Sequence, residues 1–176
     1  MFAIVIPVYN NAKTINETLD SLLILKDLRQ VELVVSDDCS TDTTVDLVRH
    51  WIAQHGASFG RTALVCAERN GGISANHKLA FGQVESPYGL YIGGDDLVSS
   101  PDLVEQIGRC LAKHPAAIAK VAVRALYRPS GQVQDMYGRL NRFFAYGAKK
   151  QYRMLATYGN YLYAGPGTVL EINLLK

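Results

Sequence analysis

Two adjacent aspartates, Asp95 and Asp96, follow the apolar segment 88–92 after a pair of glycines. Carboxylate oxygens are the ligands that Mg²⁺ or Mn²⁺ prefers when it binds a diphosphate. Two like charges side by side repel each other unless a cation lies between them, so a purely structural role explains the pair poorly. Because an aspartate pair after a strand is also an ordinary turn signal, the metal interpretation depends on motifs elsewhere in the chain.

Two polar motifs stand upstream, each directly after an apolar segment. In the first, Pro7-Val8-Tyr9-Asn10, a small loop could admit a planar base beside the tyrosine, although a plain strand–turn–helix junction would look the same. The second covers residues 37–42, where the Asp37 carboxylate can accept the imide N–H of uracil, while Ser40 and Asp42 also suit helix capping. A phosphoacceptor cluster of the receiver type does not fit this order of residues.

A third motif covers residues 70–76 and begins Asn70-Gly71-Gly72. Its glycines allow a nucleotide to approach the backbone closely, and the helix that follows presents an N-terminus that favours an anion. The motif is neither a dinucleotide fingerprint nor a Walker A loop. His77, on the same helix, is interpreted as a surface residue and not as a metal ligand.

Strands and helices are predicted to alternate along the first two thirds of the chain. Apolar runs predict strands at 2–8, 31–36, 62–66 and 88–92, and helical spacing predicts helices at 14–25, 40–52 and 74–81. Another helix should start at Ser100-Pro101-Asp102, with Ser100 as the N-cap and Pro101 in the first helical position. Alternation of this kind predicts an α/β fold with a mostly parallel sheet flanked by helices. Ligands bind at the carboxyl ends of such strands, so all the polar motifs should meet in one crevice.

The last third is less regular. A strand within 117–127, a turn or hairpin at 131–138, a helix at 139–158, a loop at 159–167 and a final element at 169–175 are expected. Between residues 120 and 153 eight Lys/Arg face one acid, so this tract carries +7 and the remainder −5. The tract has two possible roles. It is a solvated basic face, or it attracts an anionic acceptor or the membrane surface where such an acceptor lies. The acidic remainder argues against nucleic-acid binding.

Composition bounds the class of protein. With 176 residues, 48% hydrophobic and 19% charged, the chain should form a single domain with a real core. No apolar run reaches the roughly 18 residues of a membrane span, and the start lacks the basic region of a signal peptide. Three widely spaced cysteines suggest reduced thiols. We therefore expect a cytoplasmic protein. If its acceptor lies in the membrane, the protein should associate peripherally with the cytoplasmic membrane face.

Taken together, the motifs at 7–10, 35–42, 70–76 and 94–96 resemble the family 2 inverting GT-A glycosyltransferases, closely over residues 2–100 and more loosely over the loop 159–168. The resemblance implies a GT-A (Rossmann-like) single domain over 1–176. Residues 1–100 would form the nucleotide-sugar-binding half, and 101–176 part of the acceptor-side half.

The resemblance also implies roles for individual residues. Asp96 would be the direct ligand of a divalent cation, Mn²⁺ or Mg²⁺, that neutralises charge on the leaving diphosphate. Gly93 stands where the fuller family pattern has a further aspartate. The nucleotide-sugar, most often a UDP-sugar, would be bound by Pro7, Tyr9, Asn10, Asp37, Asp38, Asn70, Gly71, Ser74, Asn76 and Asp95.

Inversion also needs a general base that deprotonates the acceptor hydroxyl. The family has an acidic residue downstream of the acceptor-side loop, where this chain has only Glu171, to which we assign no role. The base is therefore expected beyond Lys176, which would make this chain a C-terminally truncated fragment that binds the donor but transfers sugar weakly or not at all. Exposure of the Tyr-rich region 124–163 by truncation could lead to homo-oligomers.

Two other functions remain open at this stage. A nucleotidyltransferase on a similar sheet would need a Gly-rich loop with Arg or Lys after the first strand, and residues 10–13 (NNAK) do not provide one. A non-catalytic nucleotide-binding module would fit a chain without a base. For a transferase, the expected acceptor is a saccharide or a lipid-linked intermediate.

Overall fold

The computed structural model describes residues 1–113, 118–120, 124–127, 130–135 and 168–172. Six strands form its main sheet: β1 (Phe2–Val8), β2 (Val31–Asp37), β3 (Arg61–Cys66), β4 (Tyr88–Tyr91), β5 (Ile118–Lys120) and β8 (Thr168–Glu171). Their order across the sheet is β3-β2-β1-β4-β8-β5. A separate antiparallel hairpin is formed by β6 (Arg124–Tyr127) and β7 (Gln132–Asp135).

Helices cover both faces of the sheet, as predicted. The α-helices are α1 (Ile15–Ser21), α2 (Thr44–His55), α3 (Ile73–Gly82) and α4 (Leu103–Lys113), and short 3₁₀ turns occupy Leu22–Ile24, Leu28–Gln30 and Gly56–Ser58. Helix α4 begins two residues later than expected, because Pro101 lies in a turn in which the Leu103 N–H donates to the Ser100 carbonyl at 3.3 Å.

The first four strands are parallel, whereas β8 runs antiparallel to both β4 and β5. The sheet is thus mixed, which confirms the prediction of a mostly parallel α/β fold. The strand expected within 117–127 is two strands, β5 and β6, and the hairpin expected at 131–138 is β6–β7. The helix expected at 139–158 and the loop expected at 159–167 lie outside the described residues.

The core explains why β1 is a continuous apolar run. Ile4, Ile6 and Val8 pack with α1, α2 and α4 on one face, whereas Ala3 and Val5 pack against α3 on the other. A strand buried on both faces has no polar side to show, so it lacks the alternation of a half-exposed strand.

Strand register determines where the polar motifs meet. Val8 at the end of β1 pairs with Asp37, and Asp37 pairs in turn with Cys66 at the end of β3. On the other side, β4 ends earlier, since Tyr91 pairs with Val5. The residues after Tyr91 therefore run alongside the end of β1, and all four motif loops reach the same edge of the sheet.

Cys39, Cys66 and Cys110 are free thiols, in agreement with the prediction of reduced cysteines. In the part of the chain that the structure describes, no helix has the length and apolar character needed to cross a membrane.

Candidate functional site

A crevice of about 430 Å³ opens at the carboxyl ends of β1 and β4, beside the start of α3. Every one of the four motifs contributes to its wall, with Pro7, Tyr9, Asp38, Asn70, Asn76 and Asp95 among the lining residues. A second cavity of about 460 Å³ lies at the opposite edge of the sheet, near Phe2 and Tyr88, and contains none of the motif residues. The chemistry suggested by the sequence therefore belongs to the crevice.

The first motif forms a loop tied to the second. Asn10 adopts a left-handed backbone conformation (φ 53°), which asparagine tolerates better than most residues. Its N–H donates to Ser40 Oγ at 2.8 Å, and its Oδ1 accepts from the Thr41 N–H at 2.8 Å. Asn10 thus braces the two loops, while Tyr9 keeps 46% of its surface exposed on the crevice and is free to stack on a ligand.

Asp37 and Asp38 have different roles, although both are almost fully buried. Asp37 accepts from the N–H of Ser40 at 2.8 Å and from its Oγ at 2.5 Å, and it does not line the crevice. Asp38 lines the crevice and accepts from the N–H groups of Gly71 and Gly72, each at 2.8 Å. The second motif therefore presents Asp38 to the crevice, and Asp37 holds the loop from below.

The third motif is held by its glycines and by Asn76. A Cβ at Gly71 would lie 2.7 Å from Ala75 Cβ, and Gly72 has a φ of 78°, so neither position suits a larger residue. The Asn76 Nδ2 donates to the carbonyls of Val8 (3.1 Å) and Ser36 (3.2 Å), so this side chain joins β1 and β2 where they separate. Ser74 is exposed at the start of α3 but does not line the crevice.

Asp95 and Asp96 lie in a tight turn after β4. The Asp96 N–H donates to the Gly93 carbonyl at 3.2 Å, and the Asp96 carboxylate accepts from the Gly93 N–H at 2.6 Å. Burial raises the pKa of Asp96, the neighbouring Asp95 raises it further, and the Gly93 N–H only partly opposes them. A divalent cation beside the pair would offset the repulsion between the two carboxylates.

The donor set fits a cation that is shared with a ligand. Among the described residues there is no cluster of three or more His, Cys, Asp and Glu side chains that could hold a metal ion alone. Two carboxylates with hard oxygen atoms suit Mg²⁺ or Mn²⁺ when diphosphate oxygens and water complete the coordination. Asp95 and Asp96 are the residues that would hold such an ion.

Gly93 replaces an aspartate of the fuller family pattern, and the turn gives the physical reason. A Cβ at this position would lie 2.8 Å from Asp95 Oδ1 and 2.9 Å from Asp96 Oδ2. Both carboxylates therefore fold over the same glycine, and any side chain there would push them apart.

If Asp95 and Asp96 hold a cation for a bound nucleotide, replacing Gly93 with alanine should weaken that binding by roughly tenfold or more, because misplaced ligand groups lose metal affinity. Gly108→Ala is the control, since a Cβ at Gly108 in α4 meets nothing within 4 Å. It should leave binding unchanged and stabilise the helix by about 1 kcal/mol. Calorimetric titration of UDP with Mn²⁺ measures the binding, and equal affinities for the two variants would contradict the prediction.

Three polar or aromatic residues of the crevice wall, His77, Tyr91 and Asn11, were not assigned to the site from the sequence. His77 is half-buried, and its ring lies 4.7 Å from that of Tyr91 at an angle of 61°, so it is a wall residue and not a surface residue. Burial lowers the pKa of His77; the pKa of Tyr91 is raised by burial and then by Asp96 and Asp95. The third, Asn11, accepts from the Tyr9 N–H through Oδ1 at 2.9 Å. The helical spacing of Ile73 and His77 was a usable signal, because residues four apart share a helix face.

Comparisons with known proteins agree with this geometry. The sequence is 30% identical to the poly(ribitol-phosphate) beta-N-acetylglucosaminyltransferase TarS of Staphylococcus aureus over 104 residues. This match covers 58% of this chain and 17% of TarS. The crystal structure of S. aureus TarS 1-349 in complex with UDP-GlcNAc matches 99% of this chain and 46% of that one, with a TM-score of 0.71 and 23% identity.

A mannosyltransferase of Pyrobaculum calidifontis, PcManGT, in complex with GDP-Man and Mn²⁺, matches 69% of this chain and 35% of that one, with a TM-score of 0.63 and 24% identity. These two structures establish the shared GT-A fold, and this chain spans less than half the length of each relative. Residues 3–167 match the model of the family "Glycosyl transferase family 2". The chain therefore belongs to glycosyl transferase family 2.

Proposed function

We propose that this chain is the nucleotide-sugar-binding portion of an inverting, metal-dependent glycosyltransferase that takes its sugar from a UDP-sugar. The observation that carries the proposal is the convergence of Asp95 and Asp96 over Gly93. Gly93 and Asp95 line the same crevice as Tyr9 and Asp38, and Asp96 lies directly behind them. In this arrangement a base-stacking surface and hard oxygen ligands border one crevice. Residues 1–100 form the donor half, and 101–176 contribute part of the acceptor side.

Each side chain has a distinct task in this proposal. Tyr9 stacks on the base, while Asp38 fixes the glycine loop and borders the base with one edge of its carboxylate. Asp95 and Asp96 orient the diphosphate through a bound Mn²⁺ or Mg²⁺, which would stabilise charge on the leaving group. The half-buried His77 and Tyr91 close the wall beneath the donor and limit access of water.

The nucleotide and the acceptor are narrower proposals. TarS was crystallised with UDP-GlcNAc and PcManGT with GDP-Man, so the fold alone accommodates more than one nucleotide. We favour UDP because the Asp38 carboxylate, which lines the crevice, can accept the uracil imide N–H. The name of the relative TarS includes poly(ribitol-phosphate), a polyanion, and the +7 tract over 120–153 would attract an anionic saccharide or lipid-linked acceptor at the cytoplasmic membrane face.

Titration of UDP into the protein, first with Mn²⁺ and then with EDTA, tests the proposal. We expect binding with Mn²⁺, loss of most of it with EDTA, and clearly weaker binding of CDP and GDP. Equal binding of UDP and CDP would refute uracil recognition while leaving the metal site standing. Absence of binding by any nucleoside diphosphate to a protein that circular dichroism shows to be folded would refute the donor site itself.

A further inference from the structure

Thr14 precedes the first helix and departs from the usual behaviour of such a residue. A threonine in the N-cap position normally accepts a hydrogen bond from an N–H of the first turn through its side chain. Here the Thr14 side chain makes no capping hydrogen bond to α1. Its Oγ1 donates instead to the carbonyl of Gly94, 80 residues away, at 2.8 Å. The hydroxyl therefore serves the carboxylate turn and not its own helix.

Gly94 is the residue that immediately precedes the aspartate pair, and it is buried. A Cβ added to it would lie 2.9 Å from Asn11 Oδ1 and 2.9 Å from Val8 Cγ1, so the first loop packs directly on its Cα. Among the residues that the structure describes, Thr14 is the one hydrogen-bond donor to its carbonyl. The packing contact and the hydrogen bond restrain the peptide before Asp95 from two sides.

We propose that Thr14 is a positioning residue for the metal site, whose hydroxyl fixes the Gly94 peptide so that Asp95 and Asp96 converge. This inference rests on the proposed function, because it concerns the cation that the donor diphosphate would bring. Loss of the hydroxyl frees the turn to rotate about Gly94, and the two carboxylates then separate. Groups that orient metal ligands in this way typically change metal affinity by about 10–100-fold.

The same segment links the metal turn to the base side of the crevice. Asn11 accepts from the Tyr9 N–H through Oδ1 at 2.9 Å, and its carbonyl accepts from the Thr14 N–H at 2.9 Å. Tyr9, Asn11, Thr14 and Gly94 thus form one chain of contacts from the proposed stacking surface to the carboxylates. A structural helix cap at Thr14 would stabilise α1 without making this connection.

The test compares three variants by the loss of the free Mn²⁺ signal in electron paramagnetic resonance, with and without UDP. Thr14→Val removes the hydroxyl at nearly constant shape, and we expect Mn²⁺ affinity in the presence of UDP to fall about tenfold. Thr14→Ser keeps the hydroxyl and should stay within about twofold of the wild type by the same argument. Ser21→Ala is the matched control. Ser21 is also a hydroxyl residue of the α1 segment, and its Oγ accepts from the N–H of Val98, a residue that follows the aspartate turn, at 2.9 Å. It should retain wild-type Mn²⁺ affinity.

Any other result contradicts a specific part of the proposal about Thr14. Wild-type affinity in Thr14→Val, or equal losses in Thr14→Val and Ser21→Ala, would show that the Thr14 hydroxyl has no specific role at the metal. If Thr14→Val fails to fold, Thr14→Ala replaces it, and failure of both to fold would make Thr14 a folding determinant and overturn the proposal. A wild-type protein that binds UDP without Mn²⁺ would refute the metal site and this inference but not nucleotide binding.

Discussion

Replacing Asp96 with asparagine is expected to reduce Mn²⁺-dependent UDP binding by more than about 100-fold, because loss of a direct ligand exceeds the 10–100-fold effects of residues that only orient ligands. Asparagine keeps the shape of the side chain, and its Oδ1 can still accept from the Gly93 N–H, which lies 2.6 Å from the carboxylate in the wild type. The turn should therefore persist while one of its two charges is lost.

The same substitution should leave the protein as stable as the wild type or more stable at neutral pH. Burial, reinforced by Asp95, raises the pKa of Asp96 in the folded protein. A carboxyl group with a raised pKa destabilises the folded state above that pKa, where it is ionised, and a neutral asparagine removes this penalty. A substitution that weakens binding but raises stability is typical of a functional residue that is kept at a cost to folding stability.

Calorimetry for binding and thermal unfolding in the absence of metal measure the two effects. Asp46→Asn is the matched control: Asp46 lies in α2, its side chain is 81% exposed, and it contacts Arg49 at 3.4 Å. Removing an exposed charge there should change stability by less than about 1 kcal/mol and leave UDP binding intact. Unchanged Mn²⁺ dependence in Asp96→Asn would exclude Asp96 as the direct ligand, and a large drop in its melting temperature would exclude the charge argument.

The position of the crevice could be predicted from the sequence because it depends on chain order and hydrophobicity alone. The apolar runs of β1 and β2 indicated strands buried on both faces, and polar residues followed each run. In a parallel sheet, the ends of neighbouring strands must meet at one edge, so Tyr9, Asp38 and Asp95 were bound to come together.

The division of roles within each motif could not be predicted in this way. Asp37 and Asp38 are adjacent and chemically identical, and their different roles arise because Ser40 occupies the oxygens of one and the Gly71 and Gly72 N–H groups approach the other. Likewise, Gly93 looked like a missing aspartate until two carboxylates were found folded over it. These features depend on contacts between loops that are far apart in sequence, which neither periodicity nor residue type reports.

A buried acid far from the crevice gives the largest expected effect on stability. Glu32 in β2 is fully buried, accepts from the N–H groups of Glu85 (3.0 Å) and Ser86 (2.8 Å), and pairs with Arg61 Nη1 at 2.5 Å. These contacts join the sheet to the loop between α3 and β4. Burial alone would raise the pKa of Glu32, but the hydrogen bonds from Ser86 and Glu85 and the charge of Arg61 outweigh it and hold the pKa below its usual value.

Glu32→Gln is expected to lower the free energy of unfolding at pH 7 by roughly 1–3 kcal/mol, because one oxygen that accepts from the N–H groups of Glu85 and Ser86 becomes an NH₂ donor and leaves a buried donor unpaired. Arg61 keeps Glu85 as a partner, so it adds little to the loss. Since the folded-state pKa is depressed, the stabilisation is complete above the unfolded pKa of about 4.3 and is lost as the pH falls through the folded pKa. The gap between wild type and variant should therefore be constant from pH 5 upward, by the same linkage, and narrow in stronger acid.

Urea denaturation at pH 7 and in a series of acidic buffers measures this gap. Glu85→Gln is the control, because the Glu85 carboxylate contacts the same Arg61 at 3.1 Å but is 63% exposed. Its loss should change stability by less than about 1 kcal/mol. If Glu32→Gln were no more harmful than Glu85→Gln, or if its effect persisted unchanged well below pH 3, the charge of Glu32 would not be what holds the α3–β4 loop to the sheet. Folded Glu32→Gln should still bind UDP with Mn²⁺, because none of its contacts reaches the crevice wall.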